Sequence, residues 1–447
     1  MNNNLITWSA VAALAGFIFG FDTVVISGAN LPIKELWQTS PWFHGFFIMS
    51  MALWGTVAGS LSGGVLTERY GRKRILQWIG ILFSLSAIGT ALATDPYTFS
   101  FFRFMGGVGI GVSSVTVPAY IAEISTTKIR GRLVAMYQFN IVFGILIAFL
   151  SNYYLKGFDG ANDWRWMMGI LIVPSLLYSA MVWRVPESPR WLITKKQDEH
   201  RARSIMQQAG FSDADAAIKE MMQQHAMSGK HNEHIFSPKY RKVLSLAFFI
   251  AFFNQLSGIN FILYYAPEIL ERAGVAAKDS LFNSVAIGGV NLLFTFAGLY
   301  LIDRMGRRML IMIGSAGYII SLAAVAYAFK TGAGSTFLMV FLLLFIAAHA
   351  IGQGAVIWVY ISEIFPNRVR AVGQSFGAAT HWIFAALIAL VTPVFLDAKS
   401  GILRNAPWVI FVFFAVMMLL QLVWALTKMP ETKGVSLEKL EQQLLKE

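Results

Sequence analysis

Two charged side chains stand inside long apolar runs: Asp22 within GFIFGFDTVVISGAN and Arg103 within FRFMGGVGIG. An ionisable residue in such a run is costly to keep, which makes it a candidate for function. Burial favours the neutral form of a carboxyl group, and a neighbouring guanidinium favours the charged form. A carboxylate held between these two influences can take up a proton, lose its partner and lower the cost of moving helices past one another. A fixed ion pair is the plainer reading of the same two residues. A second pattern is rich in amides, which donate and accept hydrogen bonds at once. Asn254, Gln255 and Asn260 fall in NQLSGIN, with Tyr264 and Tyr265 just beyond. Asn291, Gln138, Trp358, His381 and Trp382 stand in other apolar runs, as do Phe17, Phe19 and Phe21. Any one amide could simply join two helices; their concentration in NQLSGIN points to a polar ligand. His349, alone in an apolar run, reads as a packing residue. No metal-ligand spacing and no nucleophile–base pair is visible, and the chain has no Cys. Neither a metal nor a cofactor is expected, and an enzyme is disfavoured.

The elements that must position these residues follow from composition. Of 447 residues, 56% are hydrophobic and 13% charged, and the mean hydropathy is +0.58. Soluble domains carry roughly 25% charged residues, so the chain is expected in a bilayer. Runs of about 20 apolar residues cross the hydrocarbon core as helices. Twelve are legible: 6–29, 44–66, 75–93, 98–121, 133–154, 165–184, 243–267, 280–302, 309–329, 336–361, 371–395 and 406–427. The first is no signal peptide, since it lacks a basic leading segment and contains Asp22. The expected organisation is a six-helix half over 1–184, a helical linker over 185–242, a second half over 243–427 and a tail over 428–447. Alternate loops hold 27 of the 36 Lys and Arg residues and the opposite loops 8. By the positive-inside rule both termini and the linker face the cytoplasm. The net charge of +12 is thereby a topology signal and needs no nucleic-acid partner. With these bounds Asp22 and Arg103 lie about 10 Å and about 8 Å from the outer surface, at 1.5 Å per residue. The agreement makes an ion pair plausible.

The two halves repeat one another. GGVLTERYGRKRIL at 63–76 matches GLYLIDRMGRRMLI at 298–311, AEISTTKIRGR matches SEIFPNRVRAV, and PESPRWL matches PETKGVS, at offsets of 235, 240 and 244. Parallel repeats of this kind build transporters with a substrate site between the halves. The repeated loops carry Glu68, Arg69, Arg72, Glu123 and Arg130 in the first half. Asp303, Arg304, Arg307, Arg308, Glu363 and Arg370 follow in the second. Ion pairs among them are expected either to clamp the halves shut on the cytoplasmic side or only to anchor helix ends.

With GFIFGFDTVVISGAN, TERYGRKR, PESPRWL, NQLSGINFILYYAP, LIDRMGRR, SEIFPNRVR and PETKGVSLEKLE in this order, the chain resembles the sugar porters of the major facilitator superfamily. It is most similar to bacterial xylose/proton symporters and related glucose transporters. The resemblance implies an all-α membrane fold of two six-helix halves rocking about a central sugar site. It implies sugar contacts at Gln138, Gln255, Asn260, Asn291 and Trp358, and a cavity lined by Phe19, Gly354, Tyr265 and Trp382. Proton-coupled relatives carry an aspartate and an arginine at the positions of Asp22 and Arg103. Four departures stand out. Glu68 replaces the usual Asp, Asn254 a Gln, Ile145 a Gln of the xylose symporters, and His381 an amide.

The expected function is proton-coupled import of a monosaccharide such as D-xylose or D-glucose. Asp22 would be the proton site, paired to Arg103. A facilitative uniporter with a static pair, or a symporter for a polyol or inositol, remains open. The expected partners are the sugar, the proton and the lipid bilayer. The expected setting is a monomer in the plasma (bacterial inner) membrane.

Overall fold

In a computed structural model the described residues are 3–126, 129–228, 234–366, 368–435 and 437–445. They are almost wholly helical. In lipid every backbone N–H and C=O must be satisfied within the protein, which a helix does within its own segment. The membrane helices of the first half are α1 (Asn3–Trp37), α2 (Met51–Tyr70), α3 (Arg72–Leu92), α4 (Pro96–Ile124), α5 (Arg130–Leu155) and α6 (Ile172–Val182). The linker carries α7 (Glu199–Ala209) and α8 (Ala214–Ser228). The second half has α9 (Arg241–Leu256), α10 (Ile259–Arg272), α11 (Ala277–Met305), α12 (Arg307–Thr331), α13 (Ser335–His349), α14 (Ala355–Ile364), α15 (Arg370–Leu396) and α16 (Trp408–Thr427), and the tail ends in α17 (Leu437–Leu445). Among the described residues eleven spans are long and apolar enough to cross a membrane; Pro41–Met49, bent by 42° from α2, completes a twelfth. These match the twelve expected runs one for one.

Three details were not in the sequence reading. The first helix continues to Trp37, eight residues past the expected end at 29. The seventh span is two helices, because Gly258 takes a left-handed conformation (φ +87°) between α9 and α10. The tenth is interrupted by a π-helical turn at Ala350–Gly354 between α13 and α14, where Gly352 and Gly354 flank Gln353.

The described chain forms two compact units. The first comprises the chain up to Thr23, Met51–Ile145 and the part from Arg165 through the linker. The second comprises Val24–Ser50, Leu146–Trp164 and the rest of the chain beyond the linker. In the first, α2 and α4 meet along a seam of small residues. A side chain on Gly107 would place its Cβ 1.9 Å from the Ala52 carbonyl oxygen, and one on Gly59 would lie 2.3 Å from that of Val108. Such close approach replaces the hydrophobic effect, which cannot drive helices together in lipid. Linker residues Trp191, Leu192, Ala202, Ile205 and Met206 form a small core against which Trp8 packs, so α1 begins at the linker end of its unit. In the second unit, Tyr240, Leu310, Tyr360, Ile364, Leu440 and Leu444 belong to one core that ties α9, α12, α14 and α17 together.

The glycine seam gives a stability test. Gly107→Val should destabilise the purified protein by about 1–3 kcal/mol, the usual cost of overpacking, seen as a lower Tm. Gly64→Ala, which would meet nothing within 4 Å, should leave the Tm unchanged.

Candidate functional site

Asp22 on α1 and Arg103 on α4 are paired, as their types and places led one to expect. Arg103 Nη1 donates to Asp22 Oδ1 at 2.6 Å, and Nη2 to the Asp22 backbone oxygen at 3.3 Å. Both side chains are buried, at 1% and 4% exposure. Asp22 lies 15 residues before the end of α1 and Arg103 seven after the start of α4, because α1 is longer than its most apolar stretch. The pairing is one-sided: Asp22 Oδ2 and Arg103 Nε have no hydrogen-bond partner among the described residues. One carboxylate oxygen is thus held by the guanidinium while the other is open, and a proton can add at Oδ2 without first displacing Arg103. Phe19, one turn before Asp22, is buried. Gln138 on α5 is partly exposed, and no protein partner for its amide is found among the described residues.

The amides of the second unit converge. The break at Gly258 brings Asn260 back toward the end of α9: its Nδ2 donates to Gln255 Oε1 at 2.9 Å. Gln255 Nε2 donates to Asn254 Oδ1 at 3.0 Å and lies 3.0 Å from His381 Nε2. Asn254 Nδ2 reaches Gln353 Oε1 at 3.4 Å. The imidazole of His381 lies between two indoles, with ring centroids 5.0 Å from Trp358 and 4.7 Å from Trp382. Trp358 is 38% exposed although it adjoins this buried group. Asn291 on α11 is buried and its amide meets no protein partner among the described residues. Tyr265 differs: its hydroxyl donates to the Ala389 carbonyl at 2.9 Å and so locks α10 to α15. Gly354 ends the π turn, against His349. His349 Nδ1 bonds the Tyr318 hydroxyl at 2.6 Å, a packing contact between α13 and α12. Ile145 is buried at the end of the first unit.

The repeated loops form matching charge networks, each inside its own half. Arg72 donates to both oxygens of Glu123 at 2.8 Å and to Glu68 at 2.6 Å, while Ser188 Oγ donates to Glu123 at 2.5 Å. Arg307 donates to Glu363 at 2.8 and 3.1 Å and to Asp303 at 3.2 Å, while Thr432 donates to Glu363 at 2.6 Å. Glu187 accepts from the backbone N–H groups of Arg72 and Lys73, and Glu431 from those of Arg307 and Arg308. Gly71 and Gly306, both at φ +93°, admit these carboxylates where a Cβ would stand 2.4 and 2.5 Å from them. Arg69 and Arg304 lie over Tyr70 and Tyr300. Arg308 caps the Ala425 and Leu426 carbonyls, Arg370 that of Phe365, and Arg130 is exposed. The ion pairs of these two networks each lie within one compact unit.

A further polar cluster lies at the other end of the helices. Asn30 Nδ2 donates to Glu268 Oε2 at 2.8 Å, and Asn30 Oδ1 accepts from His44 Nε2 at 2.7 Å. Thr39 Oγ1 lies 2.8 Å from His44 Nδ1. With Asn30 Oδ1 as acceptor, the imidazole carries its proton on Nε2 and takes the Thr39 hydroxyl's hydrogen on Nδ1. Lys34 pairs with Asp397, which also accepts from Ser400 N and Oγ at 2.6 and 2.7 Å. The cluster joins α1 and the turn after it to α10 and the end of α15.

A profile of the family described as "Sugar (and other) transporter" matches residues 8–444. The chain belongs to that family. It is 34% identical to the glucose transporter GlcP of Staphylococcus epidermidis over 97% of this chain and 96% of that one. It is also 34% identical to the arabinose-proton symporter of Bacillus subtilis, over 98% and 94%. Its fold is that of the inward-open structure of the Escherichia coli xylose transporter XylE, with a TM-score of 0.85 and 30% identity over 98% of this chain and all of that one. A further structure of XylE, titled as a major facilitator superfamily proton:xylose symporter, matches with a TM-score of 0.82. The fold is therefore that of a major facilitator, and the family is one of transporters rather than enzymes.

For this family member the sequence reading missed Gln353 and the Asn30–Lys34–His44–Glu268–Asp397 cluster. Gln353 could have been found as an amide between the two glycines of the interrupted span. The cluster could not, because Asn30, Lys34 and Asp397 fell just past the expected span ends and Glu268 just past another. The cluster can be tested as a latch. The chain has no Cys, so Ser27→Cys, on the buried stretch of α1 before Asn30, reports accessibility alone. Its maleimide labelling should accelerate about tenfold, worth about 1.4 kcal/mol, when Asn30→Ala and Asp397→Asn are added. An unchanged rate means the cluster does not shut that end.

Proposed function

We propose that this transporter imports a monosaccharide together with a proton, by alternating access. The observation that carries the reading is the buried, one-sided Asp22–Arg103 pair. A pair serving only as a brace would be expected to use both carboxylate oxygens, whereas Asp22 leaves one open in a buried place. A proton on Oδ2 turns Oδ1 from a charged acceptor into a neutral one and weakens its hold on Arg103. The pair costs free energy whenever one partner is left charged alone, so proton binding and helix movement are linked. The names of relatives agree: arabinose-proton and D-xylose-proton symporters stand among them.

The sugar site we propose is the cluster of Asn254, Gln255, Asn260, Asn291, Gln353 and His381 with the indole of Trp358; in the first unit, Gln138 is proposed as a sugar contact in its own right. The cluster's amides offer donors and acceptors to ring hydroxyls, and Trp358 offers an apolar face. Asn254 and His381, shorter or differently shaped than an amide of the Gln kind, would set which sugar fits. The halves over 1–184 and 243–427 are the moving bodies, with 185–242 between them. The repeated charge networks stiffen the cytoplasmic end of each. The Asn30–Glu268 cluster is the gate on the opposite side. The protein works as a monomer in the plasma membrane with both termini in the cytoplasm.

Uptake of labelled pentoses and hexoses into proteoliposomes, with and without an inward proton gradient, tests this. Accumulation should exceed equilibrium only with the gradient and should fall as external pH rises. Asp22→Asn should bring accumulation down to the equilibrium ratio while sugar counterflow persists; full accumulation by that variant would sink the proton role. Gln255→Ala should raise the counterflow KM about fivefold, since a lost hydrogen bond costs about 1 kcal/mol. It should leave the proton dependence intact.

A further inference from the structure

A cavity of about 450 Å³ opens beside the linker of the first unit, and four cations line it: Lys73, Arg74, Lys196 and Arg201. Two carboxylates line it as well, and both are engaged with backbone. Glu187 Oε1 accepts from the N–H groups of Arg72, Lys73 and Ser188 at 2.8, 3.1 and 2.8 Å. Asp198 accepts from the Arg201 N–H at 3.0 Å and so caps α7. No carboxylate pairs with any of the four cationic side chains among the described residues; Lys196 Nζ lies over the Trp191 ring at 5.6 Å. The lining therefore has an excess of two positive charges with no counter-charge of its own. Gln77 and the Tyr70 ring complete a polar and aromatic wall.

The duplication supplies an internal control. At the offset of 235, Lys73, Arg74 and Gln77 correspond to Arg308, Met309 and Met312. At the offset of 244, Trp191, Lys196 and Arg201 correspond to Val435, Leu440 and Leu445. In the second half that place is apolar and filled: Leu440 is buried in the core, and Met312, Val435 and Leu445 pack against it. Its remaining cation, Arg308, is spent on the Ala425 and Leu426 carbonyls. The charge network next to the cavity is the same in both halves, so bracing a helix end does not require the cationic lining. Something other than the shared scaffold calls for it.

We propose that this cavity binds a phosphate-bearing anion. Guanidinium groups match a phosphate's oxygens two at a time and ammonium groups add point charge. The volume lies in the range of small-ligand sites. The surroundings favour a phospholipid headgroup as the source. From Arg74 a stripe of exposed apolar side chains runs up α3 through Trp78, Ile81, Leu85, Ile88 and Leu92, at the spacing of one helix face. Trp78 lies 5.1 Å from the Tyr70 ring at the cavity's edge, and such aromatic side chains sit at headgroup depth. A phosphate in the cavity would have its acyl chains along that stripe. A soluble phosphate ester would use the same cations without the stripe.

The full chain in nanodiscs of phosphatidylcholine, with or without phosphatidylglycerol, separates these. Native mass spectrometry should show phosphatidylglycerol retained by the wild type and retained at least tenfold more weakly by Lys73→Gln/Arg201→Gln. A control with two exposed cations removed elsewhere, Lys219→Gln/Lys428→Gln, should stay within twofold. Glycerol 1-phosphate added to phosphatidylcholine discs is the second arm. Binding there with the affinity of the lipid, lost in the same variant, supports the phosphate site with a soluble ligand. Equal loss in the control pair, or no retention of either probe by the wild type, overturns the proposal. Sugar counterflow by each variant certifies that it is folded. The readout is binding rather than transport, so it stands or falls apart from proton coupling.

Discussion

A charge surrounded by hydrocarbon must find a partner within the protein or give up its charge, and most of this structure answers to that requirement. Along its apolar helices the buried charges are accounted for by named contacts. Arg72 and Arg307 are neutralised by Glu123 and Glu363, and Arg103 is held by Asp22. The first two are closed arrangements in which both carboxylate oxygens are used. Only the third leaves an oxygen free. The same physical demand has thus been met completely at the cytoplasmic helix ends and incompletely at the pair proposed to carry a proton.

The helices were legible in the sequence because a bilayer imposes length and apolarity with little tolerance, and each of the twelve runs found its helix. The Asp22–Arg103 pair was legible for the same reason: two charges in otherwise apolar spans have few other places to go. What the apolar run did not mark was the end of α1. Apolarity marks where lipid requires a helix, and α1 continues to Trp37 on tertiary packing and hydrogen bonds. The gate cluster was invisible for a related cause. Lys34 and Asp397 look like ordinary loop charges until the fold brings together residues 363 positions apart. The amide cluster was readable as a composition, but its geometry depends on the left-handed Gly258, which turns Asn260 back onto Gln255. A glycine in NQLSGIN does not announce its φ.

Duplication explains both the likeness of the halves and the value of their differences. Gly71 and Gly306 share a φ of +93° and admit Glu187 and Glu431 in the same way. A feature present in both copies belongs to the scaffold. A feature present in one has been added to it or kept by it alone. By that test the Asp22–Arg103 pair, the broken amide-bearing span and the cationic cavity are the specialised parts. The first and last lie in one half and the second in the other.

The specialised parts are joined by α1. This helix is unbroken from Asn3 to Trp37. It carries Trp8 against the linker core, Asp22 at the ion pair, and Asn30 and Lys34 at the gate. Asn30 lies eight residues beyond Asp22, a rise of about 12 Å. On the proposed reading, release of Arg103 would be felt first on the helix that also carries Asn30 and Lys34, and Pro32 stands between those two. The Asn30–Glu268 cluster combines one ion pair, Lys34–Asp397, with neutral and singly charged hydrogen bonds worth about 0.5–3 kcal/mol each. That is the scale on which the gain or loss of one buried ion pair can decide whether the gate is open or shut.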